Sequence, residues 1–284
     1  MVVTTVPAPP LTGRVSVNDD NGCGIEDEGS IVCWSDDEPE LVDVPLGTFV
    51  AVSVGGGFGC AIDEFGAVHC WGAPVVYEGG EVLEDPHDLL VSPAGNYTQI
   101  SAGESHVCAL RADGLVVCWG ENAHGSIEPP DLPFALVQAG NDCTFGLDLD
   151  GGLHAWGQNP IGRPLPGGVF SHVAVGSSHA CGVAAGGTLH CWDEHEQEGD
   201  REELIPPGGS DWVSVAAGWD HSCAVDAGGT IECWGDGSYG EVSFRRGPSP
   251  DPEDNIVEVS AGMWSTCAKT DEGEFQCWGR VEQP

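Results

Sequence analysis

Seven copies of one sequence unit predict an all-β protein, a seven-bladed β-propeller with four-stranded blades. The first observation is the unit itself: two cysteines stand ten residues apart, with glycine between them and tryptophan directly behind, as in CALRADGLVVCWG (108–120). The second is composition, because 43 glycines and 20 prolines in 284 residues favour many short strands joined by tight turns. The third is the spacing of the copies, since units of about 40 residues are typical of propeller blades.

The tryptophan and the central glycine of the unit are present in every copy. The fourth copy lacks the two cysteines and has Phe145 and Ala155 in their places. The copies are centred near residues 23–34, 60–71, 108–119, 145–156, 181–192, 223–234 and 267–278. Because they are distributed along the whole sequence, we expect residues 1–284 to form a single domain.

Each copy predicts a β-hairpin whose two strands carry the cysteines. In the third copy the strands flank ADG, a three-residue turn whose glycine takes a positive φ. This register places Cys108 opposite Cys118, within the distance that a disulfide spans. The joint loss of both cysteines in the fourth copy favours disulfides; the alternative is pairs of reduced cysteines that pack as small core residues. The predicted bridges are Cys23–Cys33, Cys60–Cys70, Cys108–Cys118, Cys181–Cys191, Cys223–Cys233 and Cys267–Cys277.

Six disulfides would leave Cys143 unpaired and would require an oxidising compartment. We therefore expect the protein to be secreted or displayed at a cell surface. The first residues, MVVTTVPAPP, lack a basic segment followed by an apolar one, so we do not interpret them as a signal peptide. No apolar run approaches the ~18 to 20 residues that cross a bilayer, so we expect no membrane insertion.

The chain start is predicted to close the ring. The last copy ends at CWGRVEQP, without a segment for an outer strand, whereas TTVPAPPLTGRVSV at the start resembles the linker ELVDVPLGTFVAVSV ahead of the second copy. We expect residues 4–17 to supply the outer strand of the last blade, which would remove an open sheet edge.

The charge balance is strongly acidic, with 46 acidic residues against 8 basic ones and a formal net charge of −38. Such a surface repels phosphate, so we exclude nucleic acid as a partner. One interpretation is a highly hydrated surface suited to salt or to secretion. The other is attraction of a basic partner or of divalent cations.

The unit, written AGxxHxCALxxDGxxxCWGxNxxG, resembles the regulator-of-chromosome-condensation repeat. His106, His179 and His221 match the family's histidine, and WGENAHG (119–125) and WGDGSYG (234–240) match its tryptophan–glycine loop. The linkers with proline look most like the secreted bacterial branch, which includes the propeller-type β-lactamase inhibitor protein. The resemblance implies a seven-bladed propeller, and the family's roles span exchange factors for the small GTPase Ran, enzyme inhibitors and ubiquitin-ligase domains. The lack of a basic tail or patch argues against the chromatin-bound exchange factors.

The side chains that recur in the copies are expected to have structural roles and no catalytic or metal-binding role. The motif tryptophans are expected to pack within the blades, and the three motif histidines are expected to satisfy backbone groups inside their own blades. We find no nucleophile elbow, phosphate loop or zinc spacing, so we predict no catalytic residue, no metal site and no cofactor.

One loop face is the candidate binding site. The loop after the first strand and the loop after the tryptophan–glycine pair are expected at the same face, because one hairpin separates them. Exposed aromatic residues amid acids are typical of protein-binding hot spots; the alternative is that they pack against neighbouring loops. Trp219 and Trp264 occupy equivalent loops of the sixth and seventh blades and are expected to be neighbours. The candidate residues of this face are Trp219, Asp220, Trp264, Tyr239, Phe58, Asp19 and Asp20.

These observations predict a non-enzymatic, monomeric propeller that binds a protein partner through one loop face, as an inhibitor would. A basic partner would fit the charge of the chain. The first alternative is a structural or adhesive protein that works through its acidic surface. The others are an enzyme of the propeller lyase or hydrolase kind, with its site around the central channel, and a GTPase exchange factor.

Overall fold

A computed structural model describes residues 14–18, 21–35, 43–78, 81–84, 88–158, 165–193, 205–238, 240–242 and 255–280. These residues form seven antiparallel sheets of three strands, one for each sequence copy, and one separate two-stranded hairpin. The predicted all-β architecture of seven blades is therefore confirmed. Among the described residues, no helix has the length and apolar character needed to cross a membrane.

The strands of each blade follow one another in chain order, from the inner strand to the strand that carries the motif tryptophan. Blade 1 consists of β1 (Val15–Asn18), β2 (Asn21–Ile25) and β3 (Ile31–Ser35), blade 2 of β4 (Phe49–Val54), β5 (Phe58–Asp63) and β6 (Val68–Gly72), and blade 3 of β9 (Tyr97–Ala102), β10 (His106–Arg111) and β11 (Val116–Gly120). Blade 4 consists of β12 (Phe134–Ala139), β13 (Cys143–Asp148) and β14 (Leu153–Gly157), and blade 5 of β15 (Phe170–Val175), β16 (His179–Ala184) and β17 (Leu189–Asp193). Blade 6 consists of β18 (Trp212–Ala217), β19 (His221–Asp226) and β20 (Ile231–Gly235), and blade 7 of β21 (Ile256–Ala261), β22 (Ser265–Thr270) and β23 (Phe275–Gly279). The extra hairpin between blades 2 and 3 is β7 (Val75–Glu78) and β8 (Glu81–Glu84), and Ala123–Gly125 forms a 3₁₀ turn.

The apolar core lies between neighbouring blades. The inner strands line a central cavity of about 390 Å³, and the middle strands are buried along most of their length. One cluster joins Phe49 and Trp71 of blade 2 to Cys23 and Ile25 of blade 1. Since a middle strand is covered on both faces by its neighbours, its residues are apolar or small at nearly every position and do not alternate with polar ones.

The hairpin register agrees with the prediction. Cys108 lies opposite Cys118, and Phe145 lies opposite Ala155. The turn glycine of the third copy, Gly114, has a φ of 86°, which an L side chain rarely adopts. The six predicted disulfides are all present, with Cα–Cα distances of 4.0 to 4.1 Å.

Cys143 is the free cysteine among the described residues, and it is buried. Burial raises the pKa of its thiol to about 12, so the reactive thiolate is scarce at neutral pH. We expect iodoacetamide, without reductant, to leave the native protein unmodified and to add one group after denaturation, as counted by intact-mass spectrometry. Two or more additions in denaturant would mean that a bridge is open, and an addition to the native protein would mean that Cys143 is accessible.

Serine hydroxyls on the inner strands link consecutive blades. In each case a hydroxyl oxygen accepts a hydrogen bond from a backbone amide of the next blade, which satisfies a donor at the edge of the inner strand. The pairs are Val17 N to Ser260 Oγ at 3.1 Å, Val54 N to Ser16 Oγ at 3.0 Å, Ala102 N to Ser53 Oγ at 2.9 Å and Ala139 N to Ser101 Oγ at 2.9 Å.

The first and last blades are neighbours. The Arg14 amide donates to the two carboxylate oxygens of Glu258 at 3.0 and 3.1 Å, and Lys269 Nζ donates to the Ile25 carbonyl at 2.7 Å. Lys269 is buried at a position that is aliphatic in the other copies, and its ammonium also lies 5.0 Å from the centre of the Phe275 ring. Polar contacts through a buried lysine therefore stabilise this seam.

The prediction for the chain start needs correction. Val15, Ser16 and Val17 belong to β1, the inner strand of blade 1, and not to an outer strand of blade 7. The structural reason is their antiparallel pairing with β2. The linker after blade 3 (121–133) is described throughout and holds no strand, so the predicted fourth strand is absent from that blade. Residues 4–13 and parts of other linkers lie outside the described residues, so closure by an N-terminal strand and a fourth strand in the blades with those linkers stay predictions.

Candidate functional site

The loops after the inner strands and the segments after the third strands lie at one face, as predicted. We call this the loop face. Its inner-strand loops are residues 55–57, 103–105, 140–142, 176–178, 218–220 and 262–264. In five blades the same backbone hydrogen bond joins the two loops. It runs from Ala73 N to Gly57 O at 2.9 Å, and from Glu121 N to Ser105 O, Gln158 N to Asp142 O, Asp236 N to Asp220 O and Arg280 N to Trp264 O, each at 2.8 Å.

A glycine directly follows most inner strands, because the loops of neighbouring blades approach each other closely at that point. A Cβ atom at Gly218 would collide with the Gly262 carbonyl oxygen, and one at Gly176 would collide with the Gly218 carbonyl oxygen. This stacking lets Trp219 N donate to Gly262 O at 3.3 Å. The loops of blades 6 and 7 are therefore held against each other by backbone contacts.

Trp219 and Trp264 lie side by side on the loop face. Their ring centroids are 5.9 Å apart, with planes inclined at 45°. Trp219 is 36% exposed and Trp264 is half-buried. The guanidinium carbon of Arg280 lies 5.2 Å from the Trp264 ring, a cation–π arrangement. The pair offers two adjacent, tilted aromatic rings with one cationic neighbour.

Exposed acidic side chains lie on the loop face in several blades. Asp220 and Asp236 are exposed in blade 6, and Asp142 and Glu104 are exposed in blades 4 and 3. Of the basic residues that the structure describes, only Arg280 lies on the loop face, since the others lie at the seam or on the opposite side. The potential at this face is therefore negative around an aromatic centre.

One predicted member of the face is wrong. Phe58 is fully buried at the start of β5, in the position that histidine occupies in three other copies. That position points between blades and not toward solvent, and Phe58 belongs to the core cluster of blades 2 and 3. Tyr239, Asp19 and Asp20 lie outside the described residues. The binding role of Trp219, Asp220 and Trp264 stays a prediction.

The motif histidines form contacts that the sequence analysis missed. Each ring bonds to a hydroxyl of the next blade, whereas the sequence analysis expected contacts within the histidine's own blade. The pairs are His106 Nε2 with Thr144 Oγ1 at 2.8 Å, His179 Nε2 with Ser222 Oγ at 2.7 Å, and His221 Nε2 with Thr266 Oγ1 at 2.8 Å. A signal was present, because the hydroxyl residue stands directly after the histidine position in each following copy.

These histidines are structural groups. Burial lowers the pKa of His106 to about 4 and the pKa of His221 to about 3, so both rings are neutral at physiological pH. His172, on the wall of the central cavity, accepts a hydrogen bond from Val215 N at 3.4 Å, and burial lowers its pKa to about 4. Within the described part of the chain, no three His, Cys, Asp or Glu side chains are grouped as metal ligands.

The fold and two of the repeats match known proteins. Residues 97–126 and 212–241 match the family described as "Regulator of chromosome condensation (RCC1) repeat". No curated protein matches the chain significantly.

Solved structures share the fold at low sequence identity. The CRINKLY WD40 ectodomain of the receptor kinase ACR4 from Arabidopsis thaliana is 22% identical, with a TM-score of 0.71, over 94% of this chain and 95% of that one. The ectodomain of the receptor kinase CR4 from Physcomitrella patens is also 22% identical, with a TM-score of 0.72, over 94% of this chain and 72% of that one. Prp20p from Saccharomyces cerevisiae is 17% identical, with a TM-score of 0.70, over 95% and 82% of the two chains. Two of its repeats thus match the RCC1 repeat, and the chain has the seven-bladed β-propeller fold of these structures.

Proposed function

We propose that this propeller is a non-enzymatic binding protein that takes a protein partner through the loop face around Trp219 and Trp264. The observation that carries the proposal is the pair of adjacent tryptophans, one of them 36% exposed, on loops that backbone contacts hold in place. Tryptophan is enriched among residues that dominate binding energy, and rigid loops lower the entropy lost on association.

The partner's chemistry follows from the surrounding charge. Asp220 and Asp236 are exposed beside the tryptophans, and the whole chain carries a formal net charge of −38. A partner with an apolar knob flanked by lysine or arginine would gain both burial and electrostatic attraction. Arg280 over Trp264 shows that a guanidinium fits on this aromatic surface.

The structural neighbours support protein binding as the class of function. The Prp20p structure is described together with its binding to Gsp1p and histones, and yeast RCC1 has been solved with Kap60 bound to it. We extend only the general role, binding of another protein, to this chain. An inhibitor-like role, implied by the resemblance to the secreted bacterial branch, is the most concrete form of the proposal.

The proposed location of the protein is outside the cell or in another oxidising compartment. Six disulfides in one domain are typical of proteins kept from cytosolic reductants. Two of the solved neighbours are ectodomains of receptor kinases, which agrees with this environment.

Replacing Trp219 with alanine tests the proposal. We expect Trp219→Ala to weaken partner binding by ~2 kcal/mol or more, about 30-fold in Kd, because a large aromatic contact is lost. The partner is obtained by affinity capture from the native organism's secretions, and its Kd is measured by titration calorimetry. The melting temperature should change little, since Trp219 is partly exposed and lies outside the blade core.

Ile205→Ala is the matched control, because Ile205 is an exposed apolar residue, 63% accessible, in the linker before β18 and outside the segments that form the loop face. It should capture the same protein with unchanged Kd. Equal capture by Trp219→Ala would overturn the assignment of the loop face. Unfolding of Trp219→Ala would instead show that Trp219 belongs to the packing of blade 6.

A further inference from the structure

The face opposite the loop face, which we call the hairpin face, is formed by the hairpin turns and the starts of the inner strands. In blades 2 to 7 the first residue of the inner strand donates a backbone hydrogen bond to the turn glycine of the preceding blade. These bonds run from Phe49 N to Gly29 O at 2.8 Å, Tyr97 N to Gly66 O at 2.8 Å, Phe134 N to Gly114 O at 2.8 Å, Phe170 N to Gly151 O at 2.9 Å, Trp212 N to Gly187 O at 3.1 Å and Ile256 N to Gly229 O at 3.0 Å.

A β-bulge recurs at this face in blades 2 to 7. The register shifts around the second residue of the inner strand, which is left without a paired residue on the middle strand. A bulge redirects the extra side chain, here toward solvent. The exposed bulge residues are Val50, Thr98, Ala135, Ser171, Val213 and Val257. Three of the six are therefore valines exposed at the hairpin face, although valine would gain from burial.

Two larger exposed apolar side chains stand on adjacent segments at the junction of blades 1 and 2. Leu46 is fully exposed and Phe65 is 78% exposed. They are held near each other because Glu64 N, next to Phe65, donates to the carbonyl of Thr48, two residues after Leu46, at 3.2 Å. Val50 follows Thr48 by two residues. Leu46, Phe65 and Val50 form what we call the first anchor.

A second apolar pair lies at the junction of blades 4 and 5. Leu149 is 63% exposed on the turn of blade 4, and Val169 is 52% exposed directly before β15. A Cβ on Gly151, in the same turn as Leu149, would lie 2.7 Å from Cγ1 of Val169, so the two segments are in contact. We call Leu149 and Val169 the second anchor.

Carboxylates stand directly beside both anchors. Glu64 is exposed next to Phe65, and Asp150 is exposed next to Leu149. Of the described basic residues at this face, Arg111 is already paired with Asp113 at 2.7 Å, and Arg14 lies at the seam of the first and last blades. The anchors are thus apolar groups in a negative field, which attracts cations and repels a second copy of this chain and anionic lipid.

We propose that the hairpin face is a second protein-binding surface, independent of the loop face, which takes a partner whose exposed apolar side chains alternate with lysine or arginine. The two anchors bury the partner's apolar side chains, and the adjacent carboxylates pair with its cations. Exposed apolar groups concentrated on one face mark an interaction site in a protein whose surface is otherwise highly charged.

The test uses a fluorescent amphipathic peptide of leucine and lysine as the probe, with a leucine–glutamate peptide of the same pattern for comparison. Binding to the full-length protein is followed by fluorescence anisotropy in 150 mM salt (roughly physiological). We expect the lysine peptide to bind and the glutamate peptide not to bind. The double variants Leu46→Ser/Phe65→Ser and Leu149→Ser/Val169→Ser should each weaken binding at least ~10-fold, because every charge is kept while apolar contact is lost.

The matched control is Ile205→Ser, the same apolar-to-polar change at an exposed residue outside both anchors, which should bind the lysine peptide as the wild type does. Trp219→Ala is tested in parallel to report on the loop face. A loss of peptide binding confined to Trp219→Ala would assign the peptide to the loop face and overturn the proposal, whereas a loss confined to the double variants supports it. Unchanged binding by both double variants would overturn the proposal and show attraction by charge alone. If light scattering at high salt shows dimers and the variant Leu46→Ser/Phe65→Ser abolishes them, the hairpin face binds a second copy of this chain and the proposal is overturned. If the protein co-sediments with phosphatidylcholine vesicles and the same variant does not, the hairpin face binds a lipid surface and the proposal is overturned.

Discussion

Reduction of the six disulfides is expected to unfold the protein at ambient temperature without added denaturant. Each bridge closes a short loop between cysteines ten residues apart, and in the chain-entropy view each contributes ~2 to 3 kcal/mol. Six such contributions come to ~12 to 18 kcal/mol, which is comparable with the ~5 to 15 kcal/mol by which a typical domain is stable. Circular dichroism during titration with a phosphine reductant, with thiols counted by mass, would follow the loss of β structure as bridges open.

Blade 4 provides the matched control for this prediction. Its Phe145 and Ala155 lie opposite each other where the other blades have cysteines. The variant Cys108→Phe/Cys118→Ala copies that arrangement into blade 3 and should lose only the cross-link, so stability should fall by ~2 to 3 kcal/mol while the fold is kept. A fully reduced protein with an unchanged urea midpoint would show that interblade packing alone stabilises the propeller and would contradict the prediction.

Acidification from pH 6.5 to 4 is expected to destabilise the protein steeply. Burial lowers the pKa of His106 and His172 to about 4 and that of His221 to about 3, against 6.5 when unfolded. The unfolded chain therefore binds protons first as the pH falls, and stability that is complete above pH 6.5 is lost toward pH 4. Each histidine contributes about 3 kcal/mol to this loss. Urea midpoints measured across this pH range give the slope.

Asn21 stands where blades 3, 5 and 6 have a motif histidine, so His221→Asn is the natural comparison. This variant has no ring to protonate and should show a shallower loss of stability between pH 6.5 and 4, by about 3 kcal/mol. The acids near the histidines, Glu121 by His106 and Asp236 by His221, favour the charged ring but do not outweigh burial. An unchanged slope in His221→Asn would mean that this ring is solvated in the native protein.

Local pairing was predictable because its determinants lie close together in the sequence. The cysteines stand ten residues apart around a glycine that takes a positive φ, and this spacing alone determines that Cys108 lies opposite Cys118. The adjacency of Trp219 and Trp264 was also predictable, since equivalent loops of consecutive repeats must be neighbours in a ring.

Contacts between blades depend on which face of a strand the next blade covers, and the repeat pattern does not contain that information. The same position holds His106, which bonds to Thr144 of the next blade, and Phe58, which is buried in the core. The sequence by itself determined the seven hairpins, their register and their disulfides. Only the tertiary structure decided that Phe58 is buried, that the bulges turn Val50 and its equivalents to solvent, and that Lys269 joins the last blade to the first, because these outcomes are determined by packing between sheets far apart in the chain.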